Sequence, residues 1–368
     1  MKTLVIKLGS STVSDDRGRL RRALLGARVA EIADLVRQGH RVVIVSSGAI
    51  ACGQSVLGMT ERPRAIPALQ AASAVGQGRL FDAYSDLLRA EKLTAGQILL
   101  TSTDFAQRAS YVNARNTLRR LLGWHVVPVV NENDTTATDE IRFGDNDVLA
   151  AQVAIMLRAD LLILLTDRDG LYTSDPDRDP DARLIARIDD ISDLDSARIG
   201  DRSRRGAGGM RGKVAAALMA AAADVRTVIT SGEREGVIGA VVRGEPMGTM
   251  VAPRPAGDSA FKLWLRYAKP TRGTLEIDAG AVRALEEGGG SLLPVGVVAV
   301  HGSFAAGDAV AVVARDRREV ARGLSTMGAR DLRRIMGLRS DEARTLVPHA
   351  AGEVVHRDSM VLVEEEGQ

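Results

Sequence analysis

Two lysines, two glycine-bearing turns and one stretch crowded with acids and amides hold the residues of this 368-residue chain best suited to chemistry. The stretch is Asn131–Asp147, NENDTTATDEIRFGDND, directly after the apolar run Val126–Val130. It gathers Asn131, Glu132, Asn133, Asp134, Asp139, Glu140, Asp145, Asn146 and Asp147 at a strand exit, more polar groups than solubility requires. Asn and Asp are also favoured in turns, so the stretch alone reads equally as a solvated loop. Residues 206–213, GAGGMRGK, are a glycine-rich loop that opens a helix and ends in Lys213. Backbone N–H groups and a helix N-terminus cradle an anion, and the lysine adds a point charge. This is not a P-loop: Ala207 stands where that motif has its first glycine, and Val214 where it has Ser or Thr. Lys7 lies near the end of the apolar run Thr3–Leu8, just before Gly9-Ser10-Ser11, and Ser46-Ser47-Gly48-Ala49 forms a second strand-to-helix turn.

Lysines, glycine turns and acidic side chains converging on one edge of a sheet suit phosphoryl transfer, which needs positioning and charge stabilisation more than covalent help. An acceptor carboxylate is already ionised at pH 7 and needs no general base. The five histidines (40, 125, 301, 349 and 356) fall in none of these loops. That argues against Ser-His nucleophilic catalysis and against a histidine metal site. Cys52, on a small-residue helix, reads as a buried structural thiol.

The elements that must position these groups alternate. Strands are expected at Thr3–Leu8, Arg41–Val45, Gln97–Leu100, Val126–Val130, Leu161–Leu165 and Val225–Thr230. Helices are expected at Arg21–Gln38, Ile66–Glu91, Tyr111–Leu122, Asn146–Arg158 and Gly212–Ala223. Buried apolar strands alternating with helices give a mainly parallel α/β sheet, whose ligands bind at the carboxyl ends of the strands. The small residues Ala71, Ala72, Ser73, Ala74 and Gly76 permit close helix packing. After about residue 252 the rhythm breaks into short strand-like runs at Thr274–Ile277, Leu293–Val300, Ala309–Val313, Glu319–Gly323 and Met360–Val363, a small, mainly β domain. The expected division is 1–256, a linker 257–272, and 273–366.

The length of the chain suggests two or three domains. Hydrophobic residues make up 45% of the chain, enough for a sizeable core, and the net charge of +2 gives no global field for nucleic acid or an acidic membrane. Aromatic residues, at 3%, are too few for base-stacking platforms. A single cysteine fits a reducing cytosol, and no apolar run approaches the roughly 20 residues of a membrane span.

Taken in order, Lys7-Leu8-Gly9-Ser10, Val45–Ile50, Tyr111–Leu118, Asn131–Asp134, Phe143–Asp147, Leu165-Thr166-Asp167 and Gly208-Gly209-Met210 with Lys213 resemble the amino acid kinase family, and the tail resembles a PUA domain. The resemblance implies a three-layer αβα sandwich with a mainly parallel central sheet. It implies ATP-dependent phosphorylation of the L-glutamate side-chain carboxylate, the first step of proline synthesis, in a cytoplasmic homo-oligomer that uses Mg²⁺ and is open to feedback inhibition by proline. Lys7 and Lys213 would neutralise the transferring phosphoryl group, and Asp147 would orient them. Ser47, Asp134 and Asn146 would bind glutamate, with Asn131 and Asp145 close by. Thr166, Asp167 and the run Ala207, Gly208, Gly209, Met210, Arg211, Gly212 and Lys213 would hold the nucleotide, with Lys7 reaching the same phosphates. No protein metal ligand is implied. Relatives usually have Ser or Thr before the second lysine; Gly212 stands there, so one hydroxyl contact to phosphate is missing. Two rival readings are a kinase of the same fold acting on another small acid, and RNA binding by the arginine-rich tail (Arg315, Arg317, Arg318, Arg322, Arg330, Arg333, Arg334). NEND followed by FGDND favours the glutamate reading, and the arginines fit a solvated face better than an RNA surface.

Overall fold

The computed structural model describes residues 1–136, 146–189, 209–254, 260–267, 269, 271–347 and 352–363. The chain divides into two units, Met1–Ala260 and Phe261–Gln368.

The first unit is built on eight strands: β1 (Thr3–Leu8), β2 (Arg41–Ser46), β3 (Thr94–Leu100), β4 (Val126–Glu132), β5 (Leu161–Thr166), β6 (Arg187–Ile188), β7 (Arg226–Ser231) and β8 (Thr249–Val251). Their order is β3-β4-β2-β1-β5-β7-β8-β6. From β3 to β7 every pairing is parallel, so the carboxyl ends of six strands share one edge. Only β8 runs antiparallel to its neighbour β7, and it carries the short β6. The six longer strands are the ones legible as apolar runs. β6 and β8, two and three residues long, are too short to carry a periodic signal.

Side chains alternate between the faces of a strand. Leu4, Ile6 and Leu8 of β1 point to one face with Val42, Ile44, Val127, Val129, Leu161, Ile163 and Leu165. That face is covered by helices Arg22–Arg37, Ile66–Ala90 and Val237–Arg243, through Leu25, Val29, Ile32, Tyr84, Leu88 and Ile238 among others. Fully burying each such side chain contributes about 1.5–3 kcal/mol. The alternate residues Val5, Lys7, Val43, Val45, Leu162 and Leu164 are also buried. They face a second helical layer formed by Asn146–Leu157 and Met210–Ala221, which pack on each other and against the sheet. The result is three layers, αβα. Lys7 is the one charged side chain on the second face of β1, so whatever neutralises it must come from that helical layer.

Three glycines set the geometry after β2. Helices Ala49–Val56 and Ile66–Ala90 approach so closely that a Cβ on Gly53 would lie 1.7 Å from the Ala72 carbonyl oxygen, and one on Gly76 would lie 1.9 Å from that of Ala49. The small-residue run at 71–76 thus permits close packing, as its composition suggests. Gly48 precedes the first of these helices with φ 104°, a left-handed conformation that glycine adopts without steric cost.

The second unit is a five-stranded sheet of β9 (Gly273–Ile277), β10 (Val297–Gly302), β11 (Ala309–Val313), β12 (Glu319–Ser325) and β13 (Val355–Leu362), in the order β10-β9-β11-β12-β13. All pairs are antiparallel except β9 with β11. The run Leu293–Val300 is strand only from Val297, because Pro294 opens a tight 3₁₀ turn first. Three short helices, Ala279–Glu286, Ala329–Ile335 and Ser340–Leu346, were not expected; at seven or eight residues they are too short to show a helical period. The stretch read as a linker contains the helix Ala260–Tyr267, whose Leu263 and Leu265 are buried. Several tail arginines are engaged internally: Arg318 with Glu286, Arg322 with Glu319, and Arg333 with the carbonyls of Val300 and Gly302. No helix among the described residues is long and apolar enough to cross a membrane.

Candidate active site

A cavity of about 1080 Å³ opens at the carboxyl edge of the first sheet. The strand ends deliver its walls. Lys7 comes from β1, Ser47 follows β2, Asn131 lies in β4, and Thr166 ends β5 with Asp167 after it. The helical layer adds Asn146 and Asp147 from the first turn of one helix and Lys213 from the first turn of the next.

Asp147 is the centre. It is 1% exposed, with Lys7 Nζ 2.6 Å from its Oδ1 and Lys213 Nζ 2.8 Å from its Oδ2. Burial alone would push this carboxyl up. The charges of Lys213 and Lys7 and their hydrogen bonds outweigh burial and hold it well below the usual carboxylate range. Two ammonium groups brought this close in a buried place would each lose their proton more readily. One carboxylate placed between them offsets that repulsion. Asp147 also stands in the first turn of its helix, where the helix dipole favours an anion.

The acceptor side is lined by polar and charged groups. Asp134, 8% exposed, accepts a 2.6 Å hydrogen bond from Ser73 Oγ. Burial raises its pKa; the Ser73 hydrogen bond and the charge of Arg62 oppose the rise without cancelling it. Asn146 Nδ2 donates to Ser47 Oγ at 3.2 Å, and Asn146 Oδ1 is buried with no hydrogen-bond partner among the described residues. An orphaned buried acceptor is costly unless a ligand fills it. On the other side of the site, Thr166 Oγ1 donates to Asp167 Oδ1 at 3.0 Å.

The structure therefore gathers Lys7, Lys213, Asp147, Ser47, Asp134, Asn146, Asn131, Thr166 and Asp167 around one space. Asn131 is placed differently from the expectation of a loop residue. β4 runs on to Glu132, and the Asn131 amide is engaged, donating to Gln77 Oε1 at 2.6 Å and accepting from the Glu132 N–H at 2.9 Å. Gly209, Met210, Arg211 and Gly212 open the Lys213 helix and do not line the cavity. Asp145, Ala207 and Gly208 lie outside the described residues, as do residues 137–145 of the acid-rich stretch. Among the described residues no histidine lines the cavity, and burial pushes the Cys52 thiol up to about 11, in keeping with an inert thiol.

Three contributors were not singled out from the sequence. Ser73 and Gln77 stand four residues apart on the helix Ile66–Ala90 and hold Asp134 and Asn131. Two polar residues at this spacing within a run of small apolar ones share a helix face, a signal the packing role of Ser73 obscures. Arg62, on the turn before that helix, also lines the cavity.

A carboxylate holding two lysines at the carboxyl edge of a mainly parallel sheet, with acceptor groups opposite, defines an α/β phosphotransferase. Comparison with known proteins agrees. The amino acid kinase family model matches residues 2–231 and the PUA domain model residues 273–347. Glutamate 5-kinase of Ectopseudomonas mendocina is 48% identical, over 98% of this chain and 97% of its own length. Glutamate 5-kinase of Nostoc punctiforme is 45% identical, over 98% of this chain and 100% of its own. Among solved structures, carbamate kinase from Giardia lamblia bound to AMP-PNP is similar over 69% of this chain and 99% of its own, with 20% identity and a TM-score of 0.49. The chain belongs to the amino acid kinase family.

Proposed function

We propose that this protein transfers the γ-phosphoryl group of ATP to the side-chain carboxylate of L-glutamate, giving L-glutamyl 5-phosphate, the first step of proline synthesis from glutamate. The observation that carries this reading is the Lys7–Asp147–Lys213 arrangement, joined by two ion pairs of 2.6 and 2.8 Å. In-line transfer spreads negative charge over the moving phosphoryl group, and cations fixed in advance stabilise it without reorganising. Lys7 and Lys213 supply those cations. Asp147 fixes their positions and keeps them protonated; it is not a base. None is needed, because the acceptor carboxylate is already ionised.

At the other end, Asp134 and the unfilled Asn146 Oδ1 suit the α-ammonium of glutamate, with Ser47 aligned by Asn146. The nucleotide would lie over Thr166, Asp167 and the loop and helix start through Gly209–Lys213. Among the described residues no group of three or more His, Cys, Asp or Glu is placed to hold a metal, and both oxygens of Asp147 are taken by lysines. That donor set fits Mg²⁺ entering on the triphosphate, since this ion keeps several waters and binds largely through phosphate oxygens. When bound it would neutralise part of the phosphate charge. Cytoplasmic location, homo-oligomeric assembly and feedback inhibition by proline belong to the same reading and rest on the family alone.

The test is steady-state ADP release with L-glutamate, N-acetyl-L-glutamate and L-aspartate as acceptors. Acetylation removes the charge that Asp134 would read. Turnover confined to glutamate is expected; use of N-acetylglutamate with glutamate ignored would overturn the assignment.

A further inference from the structure

Among the cations lining the cavity that the mechanism above does not use, Arg62 lies nearest in sequence to the acceptor-side helix Ile66–Ala90. Arg62 stands on the turn between helices Ala49–Val56 and Ile66–Ala90 and lines the same space as Asp134, Asn146 and Ser47. Its charge acts on Asp134, yet among the described residues it forms no ion pair with that or any other carboxylate. Arg62 as a whole residue is exposed, while Asp134 is buried and held by Ser73. The cavity thus presents a fixed anion and a nearby uncommitted cation.

Opposite charges set apart in one cavity match a zwitterion. The α-carbon of an amino acid bears an ammonium and a carboxylate side by side. Asp134 and Asn146 Oδ1 can accept from the ammonium but can only repel the carboxylate beside it. A planar guanidinium donates two parallel hydrogen bonds to a carboxylate, which a lysine cannot do. We infer that Arg62 binds the α-carboxylate of the amino-acid acceptor, and that Arg62 with Asp134 selects an acceptor with a free α-amino-acid head. The inference deepens the proposed function and rests on glutamate being the acceptor. It also assigns the two ends of the acceptor opposite neighbours: the head lies against Arg62 and Asp134, and the reacting carboxylate lies toward Lys7 and Lys213.

The experiment compares full-length wild type with Arg62→Leu and Arg62→Lys, using L-glutamate and its α-amide, isoglutamine, which lacks only the α-carboxylate charge. For glutamate, kcat/KM is measured; for isoglutamine, kcat/KM or the inhibition constant against glutamate. Removing a charged hydrogen-bond pair costs about 10–100-fold. Arg62→Leu should lose that much kcat/KM for glutamate, mainly through KM, and change by less than about twofold toward isoglutamine, so the preference for glutamate collapses. Arg62→Lys should recover part of the loss. Melting temperatures close to wild type would show that both variants fold. An unchanged kcat/KM for glutamate in Arg62→Leu, or an equal fall for both compounds, would overturn the inference. Wild type that turns over neither compound would instead defeat the proposed function, so the two failures are distinguishable.

Discussion

Lys7 Nζ lies 2.6 Å from Asp147 Oδ1, although β1 and the helix that carries Asp147 are separated by more than a hundred residues of chain. The contact exists because Lys7 points to the second face of β1, where Asn146–Leu157 packs. Lys213 completes the arrangement from the neighbouring helix. The cations are therefore held by the layer architecture itself, which is what a preorganised electrostatic site requires.

Removing either lysine should damage chemistry and spare the fold. Lys213→Ala and Lys7→Ala are each expected to lower kcat by about 10²–10³-fold or more, with little change in far-UV circular dichroism. Single-turnover kinetics with saturating ATP and glutamate provides the check. A Lys213→Ala variant with near-normal kcat contradicts the phosphoryl-clamp role.

Asp147→Asn should cost both activity and stability. It removes the carboxylate that the two ammonium groups share, and breaking a buried pair costs about 3–5 kcal/mol. The pH dependence has a definite sign. The folded-state pKa of Asp147 is held below its ordinary 3.8. Its contribution is therefore full above the unfolded value and fades as pH falls from there toward the folded one. Chemical denaturation from pH 7 down to pH 3 should show this loss in wild type, and Asp147→Asn should show less of it. Equal acid sensitivity in both proteins would tell against the pairing.

Asp134 shifts the other way. Its pKa is raised above 3.8, so it takes up a proton at a higher pH than an ordinary aspartate as pH falls. The KM for glutamate should rise on acidification before kcat falls. Ser73→Ala removes a hydrogen bond that lowers this pKa, so the rise in KM should begin at a higher pH. Asp134→Ala should raise KM at neutral pH and leave kcat less affected. A KM profile unmoved by Ser73→Ala would sink this role for the serine.

The close helix pair gives a stability prediction independent of the chemistry. A Cβ on Gly76 would meet the Ala49 carbonyl oxygen at 1.9 Å, and backbone cannot swing aside as a long side chain can. Gly76→Ala should lose about 1–3 kcal/mol or more in urea unfolding. It should also disturb glutamate binding, because Ala49 follows Ser47-Gly48 at the cavity wall.

What the sequence disclosed depended on the length of the signal. Six of the strands in the first unit were readable because apolar residues dominate them or their immediate run, most of them buried, and their parallel arrangement placed Lys7, Ser47, Asn131 and Thr166 on one edge. β6, β8 and the short helices of the second unit were hidden because two to eight residues do not establish a period. The pairing of Lys7 and Lys213 through Asp147 was not a matter of residue periodicity: it entered through family resemblance, and the helix-layer packing now gives its physical cause. Ser73 was read only as a packing residue and Gln77 escaped notice, because hydrogen-bonding partners on a helix look like ordinary polar positions until the strand they face is known. Asn131 was seen as chemistry-bearing, yet its amide is spent on Gln77 and its own backbone neighbour, which no local pattern discloses.

The central claim is that the product of this site is an acyl phosphate on the side chain of glutamate. Hydroxylamine attacks an acyl phosphate to give a hydroxamate and does not react so with free carboxylates or with ATP. Incubation with ATP, Mg²⁺, L-glutamate and hydroxylamine, followed by mass spectrometry, should yield the γ-hydroxamate of glutamate in step with ADP, and Lys213→Ala should yield none. ADP release without any γ-hydroxamate, or hydroxamate at the α-carboxylate instead, would contradict the account.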